Sequence, residues 1–461
     1  MFSEFKKTRT MPANAAATVV PMPVAMQQKG QGEDAVATQK RLDLKRRLHE
    51  ELLDQLNLSL IDKVDPSDLR TEIGGIVNEF MVAQNHPLSK AEYNSILDDL
   101  MHEVTGLGPL EVLLADNTVN DILVNSHDTV YVERRGVLEK TNVRFRDERH
   151  LLRIIDKIVS NVGRRIDESQ PWVDARLPDG SRFNAIIRPC AVDGPSMSIR
   201  KFSADPLTME KLVGYGALSQ QAADLLRGVV GARLNVLISG GTGSGKTTML
   251  NALSRYIDPR QRLVTIEDAA ELQLQQSHVV RLETRPANAE NVGAVTQRDL
   301  VRNALRMRPD RVIIGEVRGG EALDMLQAMN TGHDGSMTTI HANTARDALG
   351  RIEQMVTMSG VDFPMHSVRG QISSAINVVL QLNRLSDGSR RVTSISELTG
   401  MEGEVVTMQE IFRFRKSGID DGGKVLGSFE ATGIRPTFMP QLVAAGFQFS
   451  DDMFAAPTRA V

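Results

Sequence analysis

Residues 235–254 read NVLISGGTGSGKTTMLNALS: an apolar run, a glycine-rich turn and a helical segment. Within it, Gly240–Thr247 (GGTGSGKT) meets the G-x4-G-K-S/T spacing, with a strand expected before it and a helix after it. That flanking context is what separates a phosphate-binding loop from a glycine-rich turn with no ligand. Gly240, Gly241, Thr242, Gly243, Ser244 and Gly245 can wrap a phosphate because a glycine backbone carries no obstructing Cβ. Loop N–H groups and the N-terminus of the following helix supply a positive cradle. Lys246 is expected to reach the β- and γ-phosphates and Thr247 to bind Mg²⁺, with Thr248 beside it in the first helical turn.

Outward from this loop, apolar runs alternate with helical ones: RLVTIED, RDLVRNALRM, RVIIGEV, ALDMLQAMNTG and SMTTIHAN. Strands buried on both faces and separated by helices call for a doubly wound, mainly parallel α/β sheet. In such sheets ligands bind at the carboxyl ends of the strands. Glu267, with Asp268 beside it, ends one strand and Glu316 ends another, so both acids can converge on the loop. Each can hold Mg²⁺, directly or through water, or orient the attacking water, and the residues alone leave open which does which. His333 and His341 flank SMTTI. Their spacing fits no zinc pattern, and His341, at the strand end, is expected to sense the γ-phosphate or to couple it to a neighbouring subunit.

Upstream, the chain changes character twice. Residues 1–39 are rich in Ala, Thr, Pro, Gln and Gly and are expected to be a disordered, low-complexity tail. From Lys40 the leucines 44, 48, 52 and 56 mark an amphipathic helix, opening a helical module expected over 40–105. Residues 106–202 mix short strands and helices as an α+β domain, residues 203–215 form a linker, and 216–461 carry the nucleotide-binding domain with a C-terminal extension. Arg188 and Arg200 are placed on strand-like pieces before the linker. They read either as surface ion pairs or as arginines that stabilise charge on a transferred phosphoryl group.

Composition narrows the class. With 41% hydrophobic residues, 461 residues can bury full-sized cores. A formal net charge of −4 and 4% aromatics argue against a basic, base-stacking surface, so no direct nucleic-acid contact is expected. The one cysteine, Cys190, leaves no disulfide and no four-cysteine zinc module, which fits a cytoplasmic compartment. No apolar run approaches the length of a transmembrane segment.

Together these elements resemble the secretion ATPase superfamily of type II and type IV secretion and type IV pilus motors. Within it they resemble the CpaF/TadA-like branch of tight-adherence (Flp) pilus assembly. The likeness covers about Gly106 to Arg384. It rests on NVLISGGTGSGKTTMLNALS as Walker A, RLVTIEDAAELQLQQSHVVRLETRP as the Asp box, LRMRPDRVIIGEVRGGEALDMLQAMNTGHDGS as Walker B, and MTTIHANT as the His box. The resemblance implies a homohexamer whose subunits pair a PAS-like N-terminal domain with a RecA-like ATPase domain. It also implies ATP as substrate with Mg²⁺, and inner-membrane pilus platform proteins as partners that hold the motor at the membrane. By motif position it assigns Lys246 and Thr247 to phosphate and Mg²⁺, Glu267 to the Asp box, Glu316 to Walker B and His341 to the His box. It also places arginines where Arg188 and Arg200 stand. A nucleic-acid translocase and a nucleotide-gated scaffold remain the alternatives of other classes.

Overall fold

The computed structural model describes residues 65–83, 89–104, 106–134, 137–202, 207–285, 287 and 292–456. The expected tail and the leucine-striped helix from Lys40 lie outside the described residues, as do residues 203–206 of the expected linker. Contacts group the chain into two units. One comprises the described residues up to Val132 with Glu139–Val173 and Asn184–Ser198; the other comprises Glu133–Leu138, Asp174–Phe183 and the described residues from Ile199 onward.

In the smaller unit, helices Pro66–Ala83 and Lys90–Val104 bury a stripe against each other. Leu69, Ile73, Val77 and Met81 recur at helical spacing and meet Ile96, Leu97 and Leu100. Each such side chain contributes about 1.5–3 kcal/mol of transfer free energy. Six strands follow along the chain, with parts of β2 to β6 grouped with the larger unit: β1 (Val119–Ser126), β2 (Thr129–Arg134), β3 (Val137–Lys140), β4 (Trp172–Arg176), β5 (Arg182–Ile186) and β6 (Ser196–Arg200). They form a sheet in the order β3-β2-β1-β6-β5-β4. Helix Glu148–Asn161 starts where the Asp147 side chain accepts the His150 N–H, and it buries Leu151, Ile154, Ile155, Ile158 and Val159. Arg188 does not lie on a strand as expected: β5 ends at Ile186, and Pro189, without an N–H, cannot extend a ladder.

The larger unit holds β7 (Val236–Gly240), β8 (Leu263–Glu267), β9 (Val279–Glu283), β10 (Arg311–Val317), β11 (Met337–Ile340), β12 (Val378–Arg384), β13 (Arg390–Glu402), β14 (Val405–Ile419) and β15 (Val425–Ala431). Their order is β15-β14-β13-β12-β7-β11-β10-β8-β9. The run from β12 through β9 is parallel. Pairings β12–β13, β13–β14 and β14–β15 are antiparallel. Alternate residues of one strand enter opposite cores: Val236 and Ile238 of β7 face helices Gln220–Gly231 and Lys246–Ser254, while Leu237 faces helices Glu321–Asn330 and Ala345–Met358. Both faces are thus covered, which explains why β7, β8 and β11 are buried along their whole length.

The segment beyond Ser386, expected as an extension, continues this same sheet. Ile395 of β13 pairs with Leu380 of β12, and Met439, Leu442, Met453 and Phe454 close the core on the β7 side. No helix among the described residues is long and apolar enough to cross a membrane.

Candidate functional site

Strand β7 runs into the glycine loop and helix Lys246–Ser254 leaves it, with Gly245 as the helix N-cap in the left-handed region at φ 96°. Gly243 takes φ 69°. A Cβ-bearing residue at either position would strain the turn. The Ser244 hydroxyl donates to Gly241 O at 2.9 Å, and Thr242 is exposed. Lys246 is buried, and its Nζ donates to Gly240 O at 3.0 Å and Gly241 O at 3.2 Å. Burial lowers the Lys246 pKa, with Glu316 opposing the shift. Thr247 and Thr248 line a cavity of about 250 Å³ with Asn251, Gln273, Phe202 and Arg200.

The parallel strands beside β7 deliver the rest. His341, following β11, brings Nε2 to 3.3 Å from Lys246 Nζ and 3.2 Å from Glu316 Oε1. Desolvation and the Lys246 and Arg318 charges lower the His341 pKa against the pull of Glu316. In the neutral ring this single nitrogen serves one partner at a time: protonated, it donates to Glu316; unprotonated, it accepts from Lys246. Glu316 lies near the end of β10, and Arg318 grips both of its oxygens: Nε to Oε1 at 3.1 Å and Nη2 to Oε2 at 3.3 Å. Arg318 Nη1 also reaches Asp268 Oδ2 at 3.1 Å, tying the end of β10 to the end of β8.

Glu267, at the end of β8, is placed differently. Its Oε2 accepts the N–H groups of Glu271 and Leu272 at 2.7 and 2.9 Å. Among the described residues Oε1 is buried without a hydrogen-bond partner. Burial pushes the carboxyl up to about 7, against the two backbone bonds. Room for it comes from Gly315, where an added Cβ would stand 2.8 Å from Glu267 Cγ.

The structure therefore brings the glycine loop, Lys246, Glu267, Glu316 and His341 to one end of the parallel sheet. Arg200, the last residue of β6, lines the cavity at Thr247 and Thr248. Arg188, in the smaller unit, pairs with Glu148 at 3.4 Å and donates to Val192 O at 3.2 Å. Asp268 was read from the sequence only as the neighbour of Glu267, and Arg318 and Arg390 were not singled out. Arg318 could have been found from its position two residues past Glu316, but nothing in the local sequence marks Arg390, whose Nε donates to Gly243 O at 2.8 Å.

No three His, Cys, Asp or Glu side chains cluster among the described residues to hold a metal by themselves. The donors at hand are the oxygens of Thr247 and Glu316 and the unpartnered Oε1 of Glu267. Such a set fits Mg²⁺, a hard cation usually held by one or two protein oxygens together with substrate phosphates.

A model of the type II/IV secretion system protein family matches residues 103–422. A putative conjugal transfer protein of Mycobacterium tuberculosis is 40% identical over 324 residues, which cover 69% of this chain and 92% of that protein. The type IV secretion system protein VirB11 of Bartonella quintana is 30% identical over 331 residues, covering 63% of this chain and 92% of its own. Among solved structures, the VirB11 ATPase of the Brucella suis type IV secretion system is 31% identical and covers 62% of this chain and 91% of that one. Its TM-score is 0.34, so the kinship rests on sequence.

Proposed function

The chain belongs to the type II/IV secretion system protein family, and from that premise we propose that it is a Mg²⁺-dependent ATPase. It works as a homohexameric motor that powers assembly, or both assembly and retraction, of a tight-adherence type IV pilus or a related secretion machine. It acts in the cytoplasm, held at the inner membrane by pilus platform proteins. The observation that carries the reading is the convergence of Lys246, His341, Glu316 and Arg318 at the carboxyl ends of β7, β11 and β10. A site built only to hold a phosphate needs the loop and its lysine, whereas hydrolysis also needs a carboxylate poised beside them.

Bound Mg²⁺ would screen the charge of the β- and γ-phosphates. In this reading the loop N–H groups and Lys246 hold the phosphates, and Thr247 with Glu316 takes the metal side. Glu316 also orients the attacking water, because its carboxylate is reachable, with 20% of the side chain exposed. Glu267 shapes the site, since its Oε2 is engaged by two backbone N–H groups. His341 reads the γ-phosphate from between Lys246 and Glu316. Arg200 supplies positive charge to the cavity at Thr247 and Thr248, and Arg188 is the second arginine that the family pattern implies for charge on the transferred phosphoryl group.

The test is a pair of variants read for MgATP binding and for turnover. Lys246→Ala is expected to lose nucleotide binding. Glu316→Ala is expected to keep binding and lose about 10²–10⁴-fold in turnover, the usual range for removing a general base. Equal loss of binding in both would overturn this division of labour.

A further inference from the structure

The hairpin that joins β12 to β13 reaches the glycine loop from the antiparallel half of the sheet. Arg384, the last residue of β12, pairs across the hairpin with Arg390, the first of β13. Arg390 Nε donates to the Gly243 carbonyl at 2.8 Å. Its Cδ lies 3.6 Å from the point where a Cβ on Gly245 would stand, and Arg384 Nη1 lies 3.8 Å from the same point on Gly243. The turn between the two arginines is fixed in its own right. Leu385 N–H donates to Ser389 O at 2.8 Å. Asp387 Oδ1 accepts the N–H and hydroxyl of Ser389 at 2.9 and 2.6 Å, and its Oδ2 accepts the N–H of Val425 on β15 at 2.8 Å.

A continuous chain of contacts thus runs from β15 through Asp387 and Arg390 to the middle of the loop. The loop needs such support, because glycine backbone has more conformational freedom to lose than any other. Carbonyl and N–H point opposite ways in a trans peptide, so holding the Gly243 carbonyl also fixes the direction of the Ser244 N–H. That N–H meets Gly241 O only at a long 3.4 Å, too weak a contact to set the peptide plane alone.

We propose that Arg390 is a positioning residue for the phosphate loop, and that with Asp387 it makes the β12–β13 hairpin a brace through which the antiparallel strands hold the loop in shape for a polyphosphate. The polyphosphate part rests on the ATPase reading above; the brace itself does not. Arg390 acts through the loop backbone, so it governs how well the loop accepts nucleotide more than how fast the bound nucleotide reacts.

The experiment compares the full chain as wild type, Arg390→Met and Arg390→Lys. Methionine keeps a stem along Gly245 and removes the donor; lysine restores a donor. Amide hydrogen exchange of nucleotide-free protein is read over residues 240–247, and KM and kcat for MgATP are measured alongside. Arg390→Met is expected to speed loop exchange about tenfold, with the flanking strands unchanged. Its KM is expected to rise about tenfold with kcat within threefold, the scale of one charge-assisted hydrogen bond. Arg390→Lys is expected to recover part of both effects. Unchanged loop exchange in Arg390→Met overturns the brace, and so does a fall in kcat with KM unchanged, which would mark a direct contact to the reacting phosphate. If the wild type fails to bind MgATP, the ATPase reading falls and the exchange comparison still decides the brace.

Discussion

Glu267 and Glu316 bring the same functional group to neighbouring strand ends, and their surroundings set them apart. Glu316 meets polar side chains on two sides, with Arg318 across both oxygens and His341 at 3.2 Å. Glu267 is 3% exposed and faces backbone. Its raised pKa carries a sign that can be measured. The folded state holds the proton up to about pH 7 while the unfolded chain releases it near the ordinary value of 4.5. Stability contributed by the protonated form is therefore full below pH 4.5 and is lost as pH rises through about 7. Glu267→Gln is expected to abolish this dependence. Relative to that variant, wild type should lose about 3 kcal/mol between pH 5 and 8 in urea unfolding. A constant difference across that range would mean that Glu267 is ionised in the fold.

Residue identity alone could not have separated the two acids. Both follow apolar strands, and their roles stay open at the level of sequence, because the deciding features are the turn at 268–272 and the glycine at 315 on another strand. Arg390 is an exposed arginine whose partner, the Gly243 carbonyl, lies across space, as does the Asp268 partner of Arg318, and a pattern of spacing records no such partner.

At the scale of elements, β7, β8, β10 and β11 were legible because each is a short apolar run between helical segments, the imprint of a strand covered on both faces. Strands β13 and β14 fall in stretches of strand-like pattern, whereas β15 was not read as a strand, and the membership of all three in the same sheet did not show. Period-two alternation reports a half-buried surface without naming the neighbour. Inside the parallel run, the junction of β7 with its two neighbours depends on Asn235, directly before β7. Its Nδ2 donates to Ala375 O at 2.7 Å and Met329 O at 3.3 Å, and its Oδ1 accepts the N–H groups of Gly335 and Ser336 at 2.8 and 3.0 Å. One buried amide thus ties the start of β7 to the segments leading into β11 and β12. Asn235→Ala leaves those four backbone groups without it and is expected to cost about 3 kcal/mol or more, read as a lower urea midpoint with unchanged m-value. A loss under 1 kcal/mol would show that the junction is held by packing instead.

For the whole molecule, the site draws its parts from separate strands of one sheet, so a change on one strand reaches a residue on another. The β10–β8 contact illustrates the dependence. Gly315→Ala would press a methyl group against Glu267 Cγ at 2.8 Å, and it is expected to lower turnover at least tenfold while leaving the assembly mass unchanged. Wild-type turnover in that variant would mean that Glu267 can move without consequence.

ATP turnover by the purified full chain, with and without single-stranded DNA, decides whether the molecule is a motor ATPase that works without nucleic acid. Assembly mass is measured on the same samples, for wild type and Glu316→Ala. The expected result is turnover by a six-subunit assembly that is indifferent to DNA and lost in Glu316→Ala. Turnover that climbs steeply with DNA, or an assembled wild type that hydrolyses no ATP, would contradict the account.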